Sequence, residues 1–131
     1  MSLIHPSAEV SRKATIASTA VIGAHSRIGA NCIIEHYAVI GPFTTLGQGC
    51  HVHSFAVIGG DAQDRQTQPN EEQRLVCGAL NRFREGVTVS RGTQRGGGET
   101  VLGSHNLLMA NSHVGHDAKL GDHNTLANGV S

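Results

Sequence analysis

The sequence predicts an all-β solenoid in which short parallel strands coil into triangular turns. Three observations lead to this prediction. Aliphatic residues recur every six positions along most of the 131 residues, and small residues recur with the same period four positions later. Aromatic residues make up only 3% of the composition, with no Trp. A core without large rings must be filled by stacked aliphatic side chains, which is how solenoid repeats bury their surface.

The six-residue period runs in three blocks that contain 18 repeats in total. Two inward positions separated by one outward position describe a short strand, and neither a helical period nor a hairpin meander reproduces a strict period of six. Three strands and three corners would close one coil every 18 residues. We therefore expect one domain, residues 1–131, with about six coils and two external loops at about 59–74 and 90–100. The repeating aliphatic residues are Ile4, Val10, Ile16, Ile22, Ile28, Ile34, Ile40, Leu46, Val52 and Ile58, then Cys77, Phe83 and Val89, then Leu102, Leu108, Val114, Leu120 and Leu126.

The corners carry a second signal, because glycine follows the aliphatic residue in nine of the 18 repeats. Glycine there fits a corner that needs positive φ or the close approach of another backbone.

Cys32 and Cys50 lie one coil apart, so we expect them to stack inside as small apolar residues. An odd number of cysteines without a CxxC motif favours a reduced, cytoplasmic protein.

Composition excludes several function classes. Ten basic and ten acidic residues give no net charge, which argues against a nucleic-acid partner. No apolar run is long enough for a membrane span, and the N-terminus lacks the regions of a signal peptide. The chain also has no P-loop and no Gly-x-Ser-x-Gly elbow.

Insertions interrupt the period after Ile58 and after Val89. These residues belong to the tenth and thirteenth repeats, and Val114 belongs to the sixteenth, so all three should share one face of consecutive coils. Both loops and the segment after Val114 would then leave the same edge of the solenoid. That edge would gather the polar residues Gln63-Asp64, Arg91 and His116-Asp117.

The segment 111–117 is the richest in reactive side chains. The register points His113 outward on a strand and places His116 and Asp117 at the corner that follows. An imidazole beside a carboxylate suits general-base catalysis, because the neighbouring acceptor can fix the tautomer and stabilise the imidazolium. The alternative is that these are solvated corner residues in a chain with nine histidines.

Metal binding is the second alternative for the histidines. The pairs His51/His53 and His113/His116 could supply imidazole ligands. The register weakens the first pair, since it places His51 on a strand and His53 at the next corner, and no cysteine joins either pair. We therefore assign no metal site and no cofactor. The remaining histidines are predicted to be surface or stacking residues: His5, His25, His36, His105 and His123.

Eight segments of the sequence form a recognisable set of motifs: His5-Pro6, Phe55-Ala56-Val57-Ile58-Gly59, Gln63-Asp64, Asn81-Arg82-Phe83-Arg84-Glu85, Arg91-Gly92-Thr93 with Gly96-Gly97-Gly98, Asn106-Leu107-Leu108-Met109, 111–117 and Leu126-Ala127-Asn128. Taken together, these motifs resemble the UDP-N-acetylglucosamine acyltransferases, hexapeptide-repeat enzymes of lipid A biosynthesis. The resemblance implies a left-handed parallel β-helix and a homotrimer with active sites between subunits. It also implies transfer of a 3-hydroxyacyl chain from acyl carrier protein to the 3-hydroxyl of UDP-N-acetylglucosamine.

The resemblance also implies roles for individual residues. His116 would be the general base and Asp117 would position it, while His113 and Asp64 would bind the substrate. We include Gln63 and Arg91 in the substrate-binding set, because they flank these residues on the predicted edge.

The chain departs from the family pattern at two positions and in length. Gln66 replaces a usual lysine, and Ser90 replaces a frequent histidine. Family members run to about twice this length, so the later coils and the C-terminal helical domain of the family are absent from these residues. We expect an N-terminal half or a short paralogue that is inactive or weakly active alone. Two other readings are a non-catalytic trimeric scaffold and a zinc enzyme of the trimeric carbonic-anhydrase type.

Overall fold

The computed structural model describes residues 3–63, 73–93 and 96–130, and within these ranges the regular structure consists of 18 short strands. The strands form three parallel sheets of six. Sheet A contains β1 (Leu3–Ile4), β4 (Val21–Ile22), β7 (Val39–Ile40), β10 (Val57–Gly60), β13 (Thr88–Ser90) and β16 (His113–Val114). Sheet B contains β2 (Glu9–Val10), β5 (Arg27–Ile28), β8 (Thr44–Leu46), β11 (Arg74–Cys77), β14 (Glu99–Leu102) and β17 (Lys119–Leu120). Sheet C contains β3 (Thr15–Ile16), β6 (Ile33–Ile34), β9 (His51–Val52), β12 (Arg82–Phe83), β15 (Leu107–Leu108) and β18 (Thr125–Leu126).

Each inner strand pairs with the strands three before and three after it, and each edge strand with one of these, so every coil adds one strand to each sheet. The aliphatic repeat sets the register. In sheet A, Ile58 lies opposite Ile40 on one side and Val89 on the other, and Val89 lies opposite Val114. The predicted triangular solenoid is therefore confirmed, and so is the prediction that the tenth, thirteenth and sixteenth repeats share one face. No helix among the described residues is long and apolar enough to cross a membrane.

The core is the stack of inward aliphatic residues. Ile34 is 1% exposed, whereas its neighbour Ile33 on the same strand is 41% exposed. This alternation follows from the two-residue period of a strand. The predicted stacking of Cys32 and Cys50 inside is confirmed, and Cys77 is buried and free with them. Burial raises the pKa of the Cys77 thiol, which keeps it a neutral core residue.

The corners show why glycine follows so many strands. Gly23 and Gly41 have ordinary φ, but a Cβ on either would overlap backbone atoms of the next coil. Close backbone approach is thus the dominant requirement, and among the nine predicted corner glycines only Gly59 has positive φ. Left-handed backbone recurs instead three residues after 13 of the 18 aliphatic positions, largely at residues other than glycine, including Tyr37 and Asp117.

Side chains close the corners as well. The amide of Asn81 donates to the carbonyl of Gly103 over 2.8 Å, and that of Asn106 donates to Gly121 over 2.8 Å. Each bond satisfies a corner carbonyl of the following coil, which is a group that would otherwise be costly to bury. Histidines stack on the outside, as predicted: His25 stacks on Phe43, and His105 stacks on His123.

Candidate active site

Both inserted loops and the histidine corner leave the same edge of the solenoid, between sheet A and sheet B. Strands β10, β13 and β16 end at this edge, and β11, β14 and β17 begin after it. The predicted common edge is confirmed. Gln63 is exposed at the end of the described part of the first loop. Asp64, predicted to contact the substrate, lies outside the described residues.

Asp117 is the residue around which this edge is organised. One carboxylate oxygen accepts the amide proton of Thr93 over 2.6 Å, and the other accepts the Thr93 hydroxyl over 2.6 Å. The second oxygen also lies 2.8 Å from Nδ1 of His116. The backbone of Asp117 has a φ of 64°, and its amide donates to the hydroxyl of Thr100. The corner therefore aims the carboxylate at the second loop and at His116 together.

The charge on Asp117 is stabilised by these contacts. Burial raises the pKa of the carboxyl, but the hydrogen bonds from His116 and from the side chain and amide of Thr93 outweigh burial. The pKa of Asp117 consequently lies below its ordinary value. A carboxylate that stays ionised can hold a neighbouring imidazole and stabilise its positive charge.

His116 has the geometry of an oriented base. Nδ1 faces the Asp117 carboxylate at 2.8 Å, and the side chain is 36% exposed. When Nδ1 carries the proton and donates it to the carboxylate, Nε2 holds the lone pair and can accept a proton from a substrate. The imidazole of His116 and the carboxylate of Asp117, predicted to lie at the same corner, are therefore in direct contact.

His113 lies one strand position before Val114 and points outward, as the register predicts. Its Nδ1 lies 2.7 Å from the hydroxyl of Thr88, which occupies the neighbouring position of β13. This contact fixes the ring on the outer surface of sheet A, beside the edge that carries His116. His113 and His116 thus lie on the same part of the outer surface, His113 on a strand and His116 at the corner that follows it.

The second loop approaches Asp117 so closely that only glycine fits. A Cβ on Gly96 would overlap the Asp117 carboxylate. The loop is closed by Thr93, whose hydroxyl accepts the Gly96 amide over 3.0 Å and whose carbonyl accepts the Gly98 amide over 2.6 Å. Sequence reasoning did not single out Thr93 as the anchor of Asp117, although it lies inside the Arg-Gly-Thr motif.

Arg91 joins the two loops from within. Its side chain is only 9% exposed, with one terminal nitrogen 2.6 Å from the carbonyl of Gly59 and the other 2.6 Å from Asp61. These bonds brace the start of the first loop against the second, a role that sequence reasoning missed. Ser90, which stands before it, is also buried.

The fold and its six-residue period define a hexapeptide-repeat protein. The sequence matches the family described as bacterial transferase hexapeptide (six repeats) over residues 25–60 and 99–131, which is 69 of the 131 residues. The chain belongs to this family.

The chain is similar to one kind of member in particular. It is 37% identical over its whole length to the acyl-[acyl-carrier-protein]–UDP-N-acetylglucosamine O-acyltransferase of Saccharophagus degradans, of which the match covers 53%. It is 57% identical over 61 residues, 47% of its length, to the enzyme of the same name from an Anaeromyxobacter strain, of which the match covers 24%. The solved UDP-N-acetylglucosamine acyltransferase of Francisella novicida superposes with a TM-score of 0.90 at 31% identity, over 92% of this chain and 44% of that one.

Two facts follow from these similarities. The coil is the left-handed parallel β-helix, so the predicted sense of winding is confirmed. The chain spans about half the length of the relatives that match it from end to end.

Proposed function

We propose that this chain carries the acceptor-activating half of an O-acyltransferase site, which moves a 3-hydroxyacyl chain from acyl carrier protein to UDP-N-acetylglucosamine. In this proposal it acts at the first step of lipid A biosynthesis. The names of the similar enzymes support the choice of substrates. The observation that carries the proposal is the contact of His116 with a Thr93-anchored Asp117 at the edge where both loops emerge.

The chemistry follows from this contact. Nε2 of His116 removes the proton from the 3-hydroxyl of the sugar while the oxygen attacks the thioester carbonyl of the acyl carrier protein. A carbon–oxygen bond forms, the carbon–sulfur bond breaks, and the leaving thiolate takes the proton from the imidazolium. Asp117 stabilises the imidazolium between these two transfers and fixes the ring by its bond to Nδ1.

Substrate binding is proposed for the residues that surround the base. His113 presents its ring beside the edge, and Gln63 and Asp64 belong to the loop that follows β10, two coils before β16. Arg91 would act at the base of this loop, where its buried guanidinium holds Gly59 and Asp61. In this arrangement Arg91 sets the position of the loop that contacts the sugar nucleotide.

A homotrimer is proposed, with sheet A as the contact face. The outward residues of sheet A from Leu3 through Val21, Val39 and Val57 are apolar, and Leu3 is 67% exposed. The outward row of sheet B begins instead with Glu9 and Arg27. An uncharged face next to the active-site edge would let a second copy complete the site.

We also propose a cytoplasmic location. The three free, buried cysteines are consistent with it.

The trimer is tested by light scattering at micromolar concentration. The wild type should have three times the mass of the chain, and Val39→Lys should dissociate it because a charge on the contact face would be desolvated. Thr45→Lys on the outward side of sheet B is the matched control and should leave the mass unchanged. A wild-type chain that scatters as a stable monomer would exclude the trimer.

The catalytic proposal is tested in a chimera in which this chain replaces the matching half of the Saccharophagus degradans enzyme. The chimera should transfer the acyl group, and His116→Ala should lower its turnover by about 10²–10⁴-fold, as expected for loss of a general base. Binding of the sugar nucleotide should survive this change, since the base acts on the proton. His105→Ala, at a different corner, is the control. Unchanged turnover in His116→Ala would refute the mechanism.

A scaffold without catalysis is the second candidate, favoured by Gln66 and Ser90, which stand where the family usually has a lysine and often has a histidine. It predicts that the chimera folds and forms trimers but transfers no acyl group even with His116 intact. The isolated 131-residue chain should be inactive or very weak under either proposal, so its own turnover does not separate them.

A further inference from the structure

A cluster of metal-binding side chains lies on the corner between sheet C and sheet A, on a different edge from the candidate active site. Glu35 follows β6, His51 is the outward residue of β9, and His53 follows β9. Their donor atoms all lie within 4.8 Å of one another, and no other group of three such residues is found within the described parts of the chain.

The geometry converges on one oxygen. Oε2 of Glu35 lies 2.6 Å from Nε2 of His51 and 3.3 Å from Nδ1 of His53. The two imidazole rings are stacked, with centroids 4.0 Å apart and planes within 11°. The interpretation that the register weakens this pair is therefore wrong, because strand and corner bring both rings to one side of the coil.

Two carboxylates face these imidazoles. Glu85, from the next coil, places its Oε2 3.9 Å from Nδ1 of His53, and its other oxygen accepts a hydrogen bond from Arg84. Nε2 of His53 is buried without a hydrogen-bond partner. In the neutral ring, if Nδ1 of His53 donates to Glu35, the buried Nε2 is left as an unsatisfied acceptor, and if Nε2 holds the proton, the Nδ1 lone pair faces two carboxylates. A cation bound to Nδ1 removes the second conflict, because it attracts the lone pair and both carboxylates together.

Two imidazoles and a glutamate form a donor set that zinc uses in proteins. Tetrahedral coordination with ordinary bond lengths separates the donor atoms by about 3.3 Å. The Glu35 oxygen lies 2.6 Å and 3.3 Å from the two imidazole nitrogens, and all three donor atoms lie within 4.8 Å of one another. Small rotations of the three side chains would therefore bring the donors to the separation that an ion requires. We propose that Glu35, His51 and His53 bind a divalent zinc-type ion, with Glu85 within reach as a fourth donor.

Such an ion would join three consecutive coils on their outer surface. Glu35 belongs to the coil of β6, His51 and His53 to that of β9, and Glu85 to that of β12. The site does not use the residues of the proposed acyl transfer, so the two proposals succeed or fail separately. Sequence reasoning assigned no metal ligand, because it took the strand and corner positions of His51 and His53 to weaken the pair and found no cysteine beside them. It did not consider Glu35, which is 16 residues from His51.

The test uses the full 131-residue chain, stripped of metal with a chelator and titrated with Zn²⁺ by calorimetry. We expect one tight equivalent per chain and a rise in melting temperature that depends on Zn²⁺ concentration, since an ion that binds only the folded state stabilises it. Glu35→Gln and His53→Gln should each weaken binding by about tenfold or more and abolish the thermal shift. Co²⁺ as a spectroscopic substitute should show tetrahedral absorption that the variants lack.

The nine histidines of the chain make controls essential. His105→Gln removes a member of the other stacked histidine pair and should leave Zn²⁺ affinity unchanged. His53 is largely buried, so His51→Ala, at a more exposed position, provides a variant whose folding circular dichroism can verify. The proposal is overturned if the wild type binds Zn²⁺ no more tightly than folded Glu35→Gln and His51→Ala, or if His105→Gln weakens binding equally.

Discussion

Replacing Asp117 by alanine removes a side chain that holds both the second loop and the His116 ring. Three hydrogen bonds disappear, two from Thr93 and one from His116. Bonds to a charged acceptor contribute about 1.5–3 kcal/mol each when counted singly. The full sum is not expected, because the Thr93 hydroxyl can reorient and the Asp117 side chain is 16% exposed, so water can reach the vacated corner.

The expected loss is about 2–4 kcal/mol in the free energy of unfolding. Most of it comes from the Thr93 amide, which belongs to a residue that is 3% exposed and would lose its acceptor. Asp117→Asn should cost less, since its carbonyl oxygen can still accept the Thr93 amide proton. His116→Ala removes a single bond of a half-exposed ring and should cost about 1 kcal/mol or less.

The assay is urea unfolding followed by circular dichroism at neutral pH, with the midpoint and slope fitted for each variant. Hydrogen exchange at the Thr93 amide reports the same contact locally, because loops of a solenoid can open before the stack unfolds. An Asp117→Ala variant within about 0.5 kcal/mol of wild type, with Thr93 still protected, would refute this account of the loop.

The pH dependence gives an independent check on the same residue. The pKa of Asp117 is lowered in the folded state from its ordinary value of 3.8. Its contribution is therefore fully present above the unfolded pKa and is lost as pH falls through the lower folded pKa. The stability gap between wild type and Asp117→Ala should stay constant from neutral pH down to the ordinary value and narrow below it. A gap that narrows already near neutrality would contradict this assignment.

Two further predictions concern the solenoid itself. Ile34→Ala should cost about 2–5 kcal/mol because it opens a cavity in the stack, whereas the same change at the outward Ile33 should cost less than about 1 kcal/mol; equal losses in urea unfolding would show that the register is wrong. Gly41→Ala should destabilise by about 1–3 kcal/mol because its Cβ overlaps the Gly59 carbonyl, while Gly121→Ala, where a Cβ meets nothing, should be close to neutral by thermal melting.

The sequence predicted only those features of the candidate site that follow from the six-residue repeat. Counting repeats was enough to place His116 and the two loops on one edge, because every coil advances the same sheet by one strand. It did not reveal that Thr93 anchors Asp117 or that Arg91 is buried between the loops. Those contacts depend on the path of the inserted residues, which have no period from which a position can be read.

At the corners, too, the sequence predicted one part of the structure and missed another. The sequence pattern correctly marked glycine after the strands, but it assigned two reasons where the structure uses mainly one. Close approach to the next coil excludes a side chain at Gly23 and Gly41. The left-handed backbone falls at later residues such as Tyr37 and Asp117, whose residue types differ from corner to corner and therefore form no periodic pattern.

By itself the sequence determined the solenoid, its register, its buried cysteines and the edge that carries the candidate base, because each of these follows from a hydrophobic period that repeats 18 times. Only the tertiary structure decided which polar side chains touch. Glu35 and His51 lie 16 residues apart, and Thr93 and Asp117 lie 24 apart, yet each pair is in hydrogen-bond contact. Stacked coils bring residues that are about one turn apart in sequence to within a few ångströms of each other. Which of these residues touch depends on the direction of their side chains at the corners, and residue type along the chain does not reveal that direction.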